Sequence, residues 1–446
     1  MTIGRTGNET DTNWRSWTTL VILVLCAILS YTDRQVLTLL VDELRRDLRI
    51  GDTQASLLLG GLFAATYGVA GVAMGVIADR TNRRMLIIVA IAGWSVATIL
   101  CGLATSFGFI LLARLMVAAF EAALTPAALS LIGDCFSPKT RGRAVSVYVA
   151  AIPLGGGLSI VISGLMIHLV GSGALSVGPL AQLASWRIVL LAFGVVGFAF
   201  CALATLISEA PRDGQAGSPA DAGVGAETGT GVADALQILK ALWPILAAMA
   251  FLSLATNATA AWLPSVLIRQ FAFAPAKAGV ALGLAAAVFG VAGVLAGGWL
   301  GDRAATRRGE GGRLRLCLMA ALLALPFSIY GAMPGGITVI AGASIFLFFT
   351  DIVTSAGLSS VVALAPSRLR GTAVSVSFLL NVGLGAGIGA PAVAVISGKF
   401  TGSGTPLGVA LAIVVSCAVA AATAALLARA LKSGWAIPRS EANDNI

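Results

Sequence analysis

Arg114 and Glu121 stand seven residues apart within an apolar stretch, 107–132, and Asp33-Arg34 interrupts a second apolar run near the N-terminus. Seven residues are two helical turns, so Arg114 and Glu121 leave a helix on nearly the same face, about 10 Å apart along its axis. Asp33 and Arg34, being adjacent, point roughly 100° apart; one can face a cavity while the other braces a neighbouring helix, unless the pair marks an early helix end. Each charge at a helix centre opposes membrane insertion by ~2.5–3.5 kcal/mol, roughly 10–14 kcal/mol for four, unless they face a cavity or one another. These residue types suit the handling of protons and anions. A carboxylate accepts a proton, and a planar guanidinium holds a carboxylate or phosphate through two hydrogen bonds. Asp33 and Glu121 are therefore candidate proton acceptors, and Arg34 and Arg114 candidate substrate-binding groups or charge partners. The plainer alternative is that the charges only pin helices together.

The elements that must position them are membrane helices. Of 446 residues 58% are hydrophobic and 11% charged, and the mean hydropathy is +0.94, far outside the range of soluble domains. The long runs are continuously apolar, which excludes the alternating strands of an outer-membrane barrel. The fold class expected is all-α integral membrane, with twelve spans at about 17–40, 53–78, 84–104, 107–133, 141–170, 185–207, 237–268, 277–301, 313–331, 336–364, 370–398 and 405–431. The first run lacks a small-residue cleavage site and reads as a retained helix. Residues 1–16 form a loose cytoplasmic tail, 17–207 a first six-helix half, 208–236 a polar cytoplasmic linker, 237–431 a second half and 432–446 a C-terminal tail. Placing both termini in the cytoplasm puts 20 of the 29 Lys and Arg inside. Arg45, Arg46 and Arg49 fall on the other side, accompanied by Asp42, Glu43, Asp47 and Asp52.

Basic turns recur. Gly75-Val76-Ile77-Ala78-Asp79-Arg80 followed by Arg83-Arg84 is echoed by Gly298-Trp299-Leu300-Gly301-Asp302-Arg303, and Arg141-Gly142-Arg143-Ala144-Val145-Ser146 by Arg370-Gly371-Thr372-Ala373-Val374-Ser375. Matching turns in the same order imply a parallel duplication into two six-helix halves. Asp79, Arg80, Arg83, Arg84, Asp302 and Arg303 are candidate conformational-gate residues, their contacts made in one state and broken in another; solvated loop charges are the alternative. The second half replaces most membrane charge with Thr256, Asn257, Thr354 and Asn381, keeping Asp351, a cavity acid or a helix brace; Asn257 and Asn381 are possible cavity residues. Phe63, Tyr67, Phe120, Trp262 and Phe348 are candidate apolar cavity residues, or packing residues. Gly71 and Gly75 are spaced for close helix packing. The Pro153-Leu154-Gly155-Gly156-Gly157 stretch suits a moving interface, and His168 lies near an outer helix end, a better place for an interface residue than for a proton relay.

The acid-and-base turns and the two halves resemble the major facilitator superfamily. Within it Tyr31-Thr32-Asp33-Arg34, the Arg114 to Glu121-Ala122 spacing and Ile152-Pro153-Leu154-Gly155-Gly156-Gly157-Leu158 look like the spinster-like branch. That resemblance implies a proton-coupled carrier of lysolipids or sphingoid lipids; the neighbouring organic-anion symporters share similar elements and imply a sugar acid or carboxylate instead. The second-half turn departs from the pattern, Asp302 and Arg307-Arg308 being one residue further apart than Asp79 and Arg83-Arg84.

Several classes are excluded or set aside. The six cysteines show no C-x-x-C spacing, so neither a disulfide framework nor a thiolate metal site is expected. No basic stripe with interleaved aromatics suggests nucleic acid. An intramembrane enzyme would need a constellation such as H-E-x-x-H or G-x-S-x-G, and neither occurs; a passive channel is the other rival. No cofactor is expected, and with no P-loop the energy must come from a gradient, of protons in this reading. The expected molecule is a monomer in the inner (plasma) membrane, multi-pass, whose partners are the lipid bilayer and a small-molecule or lysolipid substrate.

Overall fold

The computed structural model describes residues 8–136, 138–172, 183–209, 232–364, 370–399 and 406–433. Most of the expected linker and the outer parts of both tails lie outside these residues. So do the side chains of Asp79, Lys139, Arg141 and Arg143.

Twelve long helices follow one another. They are α1 (Asn8–Leu48), α2 (Asp52–Ser56 and Leu62–Arg80 around a π-helical turn at Leu57–Gly61), α3 (Arg83–Leu103) and α4 (Phe107–Glu121, then Leu124–Cys135). The first half closes with α5 (Pro138–Gly171) and α6 (Ser185–Ala204). The second half holds α7 (Val232–Phe271), α8 (Pro275–Ala285 and Val291–Arg308 around a π-turn at Ala286–Gly290) and α9 (Glu310–Ala324, extended by a 3-10 turn). It ends with α10 (Gly336–Leu364), α11 (Arg370–Leu380 and Gly387–Lys399 around a π-turn at Asn381–Ala386) and α12 (Leu407–Ser433). Eleven are long and apolar enough to cross a membrane; in α5 the apolar stretch among the described residues is Leu154–Val170.

The chain departs from the sequence expectations in four places. Residues 8–16, expected to be loose, already belong to α1. Helix α1 runs through Asp33-Arg34 as the expected span 17–40 requires, but continues past residue 40 and stops beyond Leu48, where Arg49 adopts φ 54°, the left-handed conformation common after a helix C-terminus. Helix α4 is not one piece: it breaks at Ala122-Ala123 because Pro126 lacks an N–H and its ring crowds the carbonyl four residues earlier, that of Ala122. Finally, a Cβ at Gly68, Gly71 or Gly75 would meet nothing within 4 Å, so the expected close packing is not made there.

Close packing lies elsewhere, and it organises the molecule. A Cβ on Gly60 of α2 would collide with the Ala386 carbonyl of α11. On Gly157 of α5 it would come within 2.9 Å of the Ala287 Cβ, and on Gly164 within 3.1 Å of the Ala276 carbonyl, both in α8. These contacts join the two halves at one end of the bundle, the end bearing residues 42–52 and 269. Toward the end bearing the starts of α1 and α7, among the described residues, α5 leaves the Val291–Arg308 stretch of α8 and α2 leaves the Arg370–Leu380 stretch of α11. Among the described residues the halves thus meet at one end and part toward the other.

Candidate functional site

Where the halves part, the four membrane charges of the first half come together. The Arg34 guanidinium on α1 donates to one carboxylate oxygen of Glu121 on α4, from Nη2 at 2.8 Å and from Nε at 3.3 Å. The other oxygen, Glu121 Oε1, is buried without a hydrogen-bond partner. Arg34 is flanked by rings: its Cζ lies 5.0 Å from the Tyr31 centroid, 5.3 Å from Phe63 and 4.5 Å from Tyr67. Phe63 and Tyr67 are themselves stacked at 6.4 Å. The Arg34 side chain keeps 23% exposure while that of Glu121 has none, so the cation is the accessible member of the pair.

Asp33 turns the other way, as its 100° offset requires. Its Oδ2 accepts from the Thr98 hydroxyl of α3 at 2.7 Å, and its Oδ1 is buried without a partner. Arg114 does not pair with Glu121, although both leave α4 on the same face. Its guanidinium reaches the middle of α1 instead, donating to the Asp33 and Arg34 carbonyls at 3.5 and 3.4 Å, and lies 5.0 Å from the Phe63 ring. The two-turn rise keeps it from Glu121, and Arg34 fills the gap. Two acids and two bases in one cluster leave it neutral overall, which limits the cost of burying it.

The other candidate cavity residues separate. In the second half Ser253 Oγ donates to the Asn381 carbonyl at 2.9 Å, and the Asn257 amide donates to the Ser253 carbonyl and Oγ at 2.8 and 3.2 Å. The Asn381 amide donates to the Ser377 carbonyl at 2.8 Å. Ser253, Asn257 and Asn381 are half-buried, Ser377 is buried, and the Ser253–Asn381 bond ties α7 to the π-turn of α11. Trp262 is fully buried, its Nε1 donating to the Ala390 carbonyl at 2.9 Å, so it packs α7 on α11 and does not line an open space. Phe120 covers Gly93 of α3, and Phe348 packs edge-on to Phe349. Asp351 lies between α10 and α8, its Cβ against Gly293 and its Oδ2 beside Gly290, with no hydrogen bond or ion pair among the described residues.

The basic turns make contacts within each half. Arg83 is buried, pairing with Asp134 and, from Nε at 3.1 Å, with Glu209, while the Glu209 carboxylate also accepts from the Arg83 and Arg84 backbone N–H groups at 3.2 and 2.8 Å and so caps α3. Arg80 is exposed. Asp302 pairs with Arg313 at 3.1 Å, and Arg303 lies 5.6 Å from the Trp299 ring. The ion pairs that join the two halves, among the described residues, are at the opposite end. There Arg269 of α7 donates to Asp42 of α1 at 2.5–2.6 Å and to Asp52 of α2 at 3.0–3.2 Å, and Arg45 reaches Asp52 at 2.9 Å. Sequence reasoning noted the bases and acids of residues 42–52 only as an exception to the charge rule. Their balanced composition is the signal for a partly exposed ionic knot centred on the buried Asp42.

The comparisons agree with this architecture. An MFS-type efflux pump of Mycolicibacterium smegmatis is 30% identical over 293 residues, 66% of this chain and 64% of that protein. The sphingosine-1-phosphate transporter SPNS2 of Danio rerio is 28% identical over 255 residues, 56% of this chain and 47% of that one, so the match spans less than two thirds of either relative. The hexuronate transporter of Bacillus subtilis is 24% identical over 357 residues, 77% of this chain and 80% of that protein. A crystal structure of a bacterial homolog to the human lysosomal transporter Spinster, inward-facing and unoccupied, superposes with a TM-score of 0.77 at 24% identity, covering 96% of both chains. The Major Facilitator Superfamily model matches residues 23–390. With twelve helices in two halves around a charged interior, the chain belongs to the major facilitator superfamily, and spinster proteins are among the relatives it resembles.

Proposed function

We propose that the chain is a proton-coupled secondary carrier that moves an amphiphilic organic anion by alternating access, with Arg34 as the anion-binding group. The observation that carries this reading is the Arg34–Glu121 pair: an accessible guanidinium inside three aromatic rings, held by a fully buried carboxylate that has one oxygen unpartnered. An incoming carboxylate or phosphate competes with Glu121 for Arg34. A buried carboxylate stripped of its cation is costly as an anion, so it takes a proton, and Oε1 is the oxygen open to receive it. Asp33, joined to the same cluster through Arg114, is the second acceptor. The rings around Arg34 favour a substrate with an apolar portion next to its charge.

Opening then alternates between the end sealed by Arg269 and the end where the halves part, and the basic turns around Asp79 and Asp302 act as gates there. The excess of Lys and Arg at the latter end supports placing it, and both termini, in the cytoplasm of the inner membrane. A monomer suffices for this cycle. The relative named a sphingosine-1-phosphate transporter supports an amphiphile; a sugar acid or other small organic anion is the second reading, supported by the hexuronate transporter's match over most of both chains. In proteoliposomes, Glu121→Gln abolishes pH-gradient-driven uptake of a labelled anion while substrate exchange persists. Gradient-driven transport equal to that of the unmodified protein would overturn the assignment.

A further inference from the structure

We infer that the second half reads hydrogen-bond donors on the substrate, hydroxyl or protonated amine, through the side-chain oxygens of Asn257 and Asn381. This deepens the carrier reading above and rests on it. Both amides are fixed by what their NH2 groups do. Asn257 donates to the Ser253 carbonyl and Oγ, and Asn381 to the Ser377 carbonyl at 2.8 Å and Oγ at 3.4 Å. A backbone carbonyl can only accept, so each amide nitrogen must face it and each amide oxygen must face away. Neither oxygen receives a hydrogen bond among the described residues, and both side chains are half-buried and so reach accessible space. Ser253, which could have offered a donor, spends its hydroxyl hydrogen on the Asn381 carbonyl.

The position lies at about the depth of the Arg34 site. Ala386 touches Gly60 where α11 meets α2. From that contact Asn381 lies five residues toward the open end, about 7 Å, and Tyr67 lies seven residues along α2 in the same direction, about 10 Å. The two stand at similar depth, one in each half. Asn381 also opens a π-helical turn, a distortion that frequently marks functional sites because it frees backbone groups and re-aims side chains. The site is thus bipolar in hydrogen-bonding sense, a cation among rings in one half and two acceptors in the other. It selects a polar group that is anionic on one side and donor-bearing on the other.

The test measures displacement of radiolabelled dodecyl phosphate from the purified protein in nanodiscs. The competitors are dodecyl phosphate esters of glycerol and of ethanolamine, each beside its capped counterpart, dimethoxy-glycerol or choline. Charge and chain are constant within each pair. The donor-bearing ester of at least one pair competes about tenfold better or more than its capped form, and which pair shows it separates hydroxyl from amine. In Asn257→Ala/Asn381→Ala that ratio falls to about one while dodecyl phosphate itself binds unchanged. Equal competition within both pairs, or discrimination that survives the double substitution, overturns this inference and leaves the carrier reading intact. Dodecyl phosphate binding that is absent, or indifferent to Arg34→Ala, overturns the anion site and this inference with it.

Discussion

Arg34 is the residue whose chemistry is least replaceable. It gives two donors to one Glu121 oxygen and lies within 5.3 Å of three ring centroids, an arrangement that needs a planar, weakly hydrated cation. Lysine keeps the charge but loses the fork and the face-on stacking. Arg34→Lys is therefore expected to weaken anion binding by about 1–2 kcal/mol, about tenfold in Kd, with the protein still folded. Direct binding measurements on the two proteins check this, and equal affinities would show that charge alone matters at that position. Arg114 illustrates the limit of helical geometry as a guide. Its spacing to Glu121 put both on one face of α4, yet two turns of rise exceed the reach of a direct pair, and the partner came from another helix.

At the scale of elements, the junction between the halves is made by helices that approach backbone to backbone, and only residues without a side chain allow it. In lipid such packing contributes van der Waals contact where no hydrophobic drive exists between helices. Gly157 and Gly156 are neighbours on α5 with opposite surroundings: a Cβ on Gly157 meets Ala287 and the Gly283 carbonyl within 3.0 Å, and one on Gly156 meets nothing within 4 Å. Gly157→Leu should cost about 1–3 kcal/mol through overpacking and lower the thermal midpoint in detergent, while Gly156→Leu leaves it nearly unchanged. Equal shifts would show that α5 and α8 do not form this contact in the membrane. The break in α4 belongs to the same scale. Pro126, little more than one turn beyond Glu121, breaks the helix at Ala122-Ala123 and frees Glu121 from a continuous ladder.

For the molecule as a whole, what distinguishes one end from the other is the Asp42, Asp52, Arg45 and Arg269 knot. It ties α1 and α2 to α7 across the halves, over close-packed helices, and nothing equivalent joins the halves at the other end among the described residues. Removing it should shift the population toward the conformation open at that end, because a state loses weight when contacts made only in it are lost. Ser56, fully buried on α2 close to the knot, offers a nearly isosteric reporter. Ser56→Cys should react faster with an impermeant thiol reagent when combined with Arg269→Gln, against Arg269→Gln alone as the control for native thiols. Unchanged reactivity would mean that glycine packing, not the ion pairs, holds the end shut.

Long apolar helices, their number, the duplication and the identity of the four charges that cluster were all legible in the amino-acid order. They follow from local properties: the length of apolar runs, the price of a charge in lipid, and the recurrence of turns. Which charges pair was not legible, because Arg34 and Glu121 are separated by 87 positions and meet only through the packing of α1 on α4. The same holds for Arg269, which has two acids 217 and 227 positions away. Glycine spacing misled for a related reason. The Gly71 and Gly75 pattern is equally good for packing against any helix or none, and the position of α11 decided that Gly60 and Gly61 are the glycines of α2 in close contact. Local sequence determines what a segment is able to bury; the global arrangement of twelve helices decides what it is buried against.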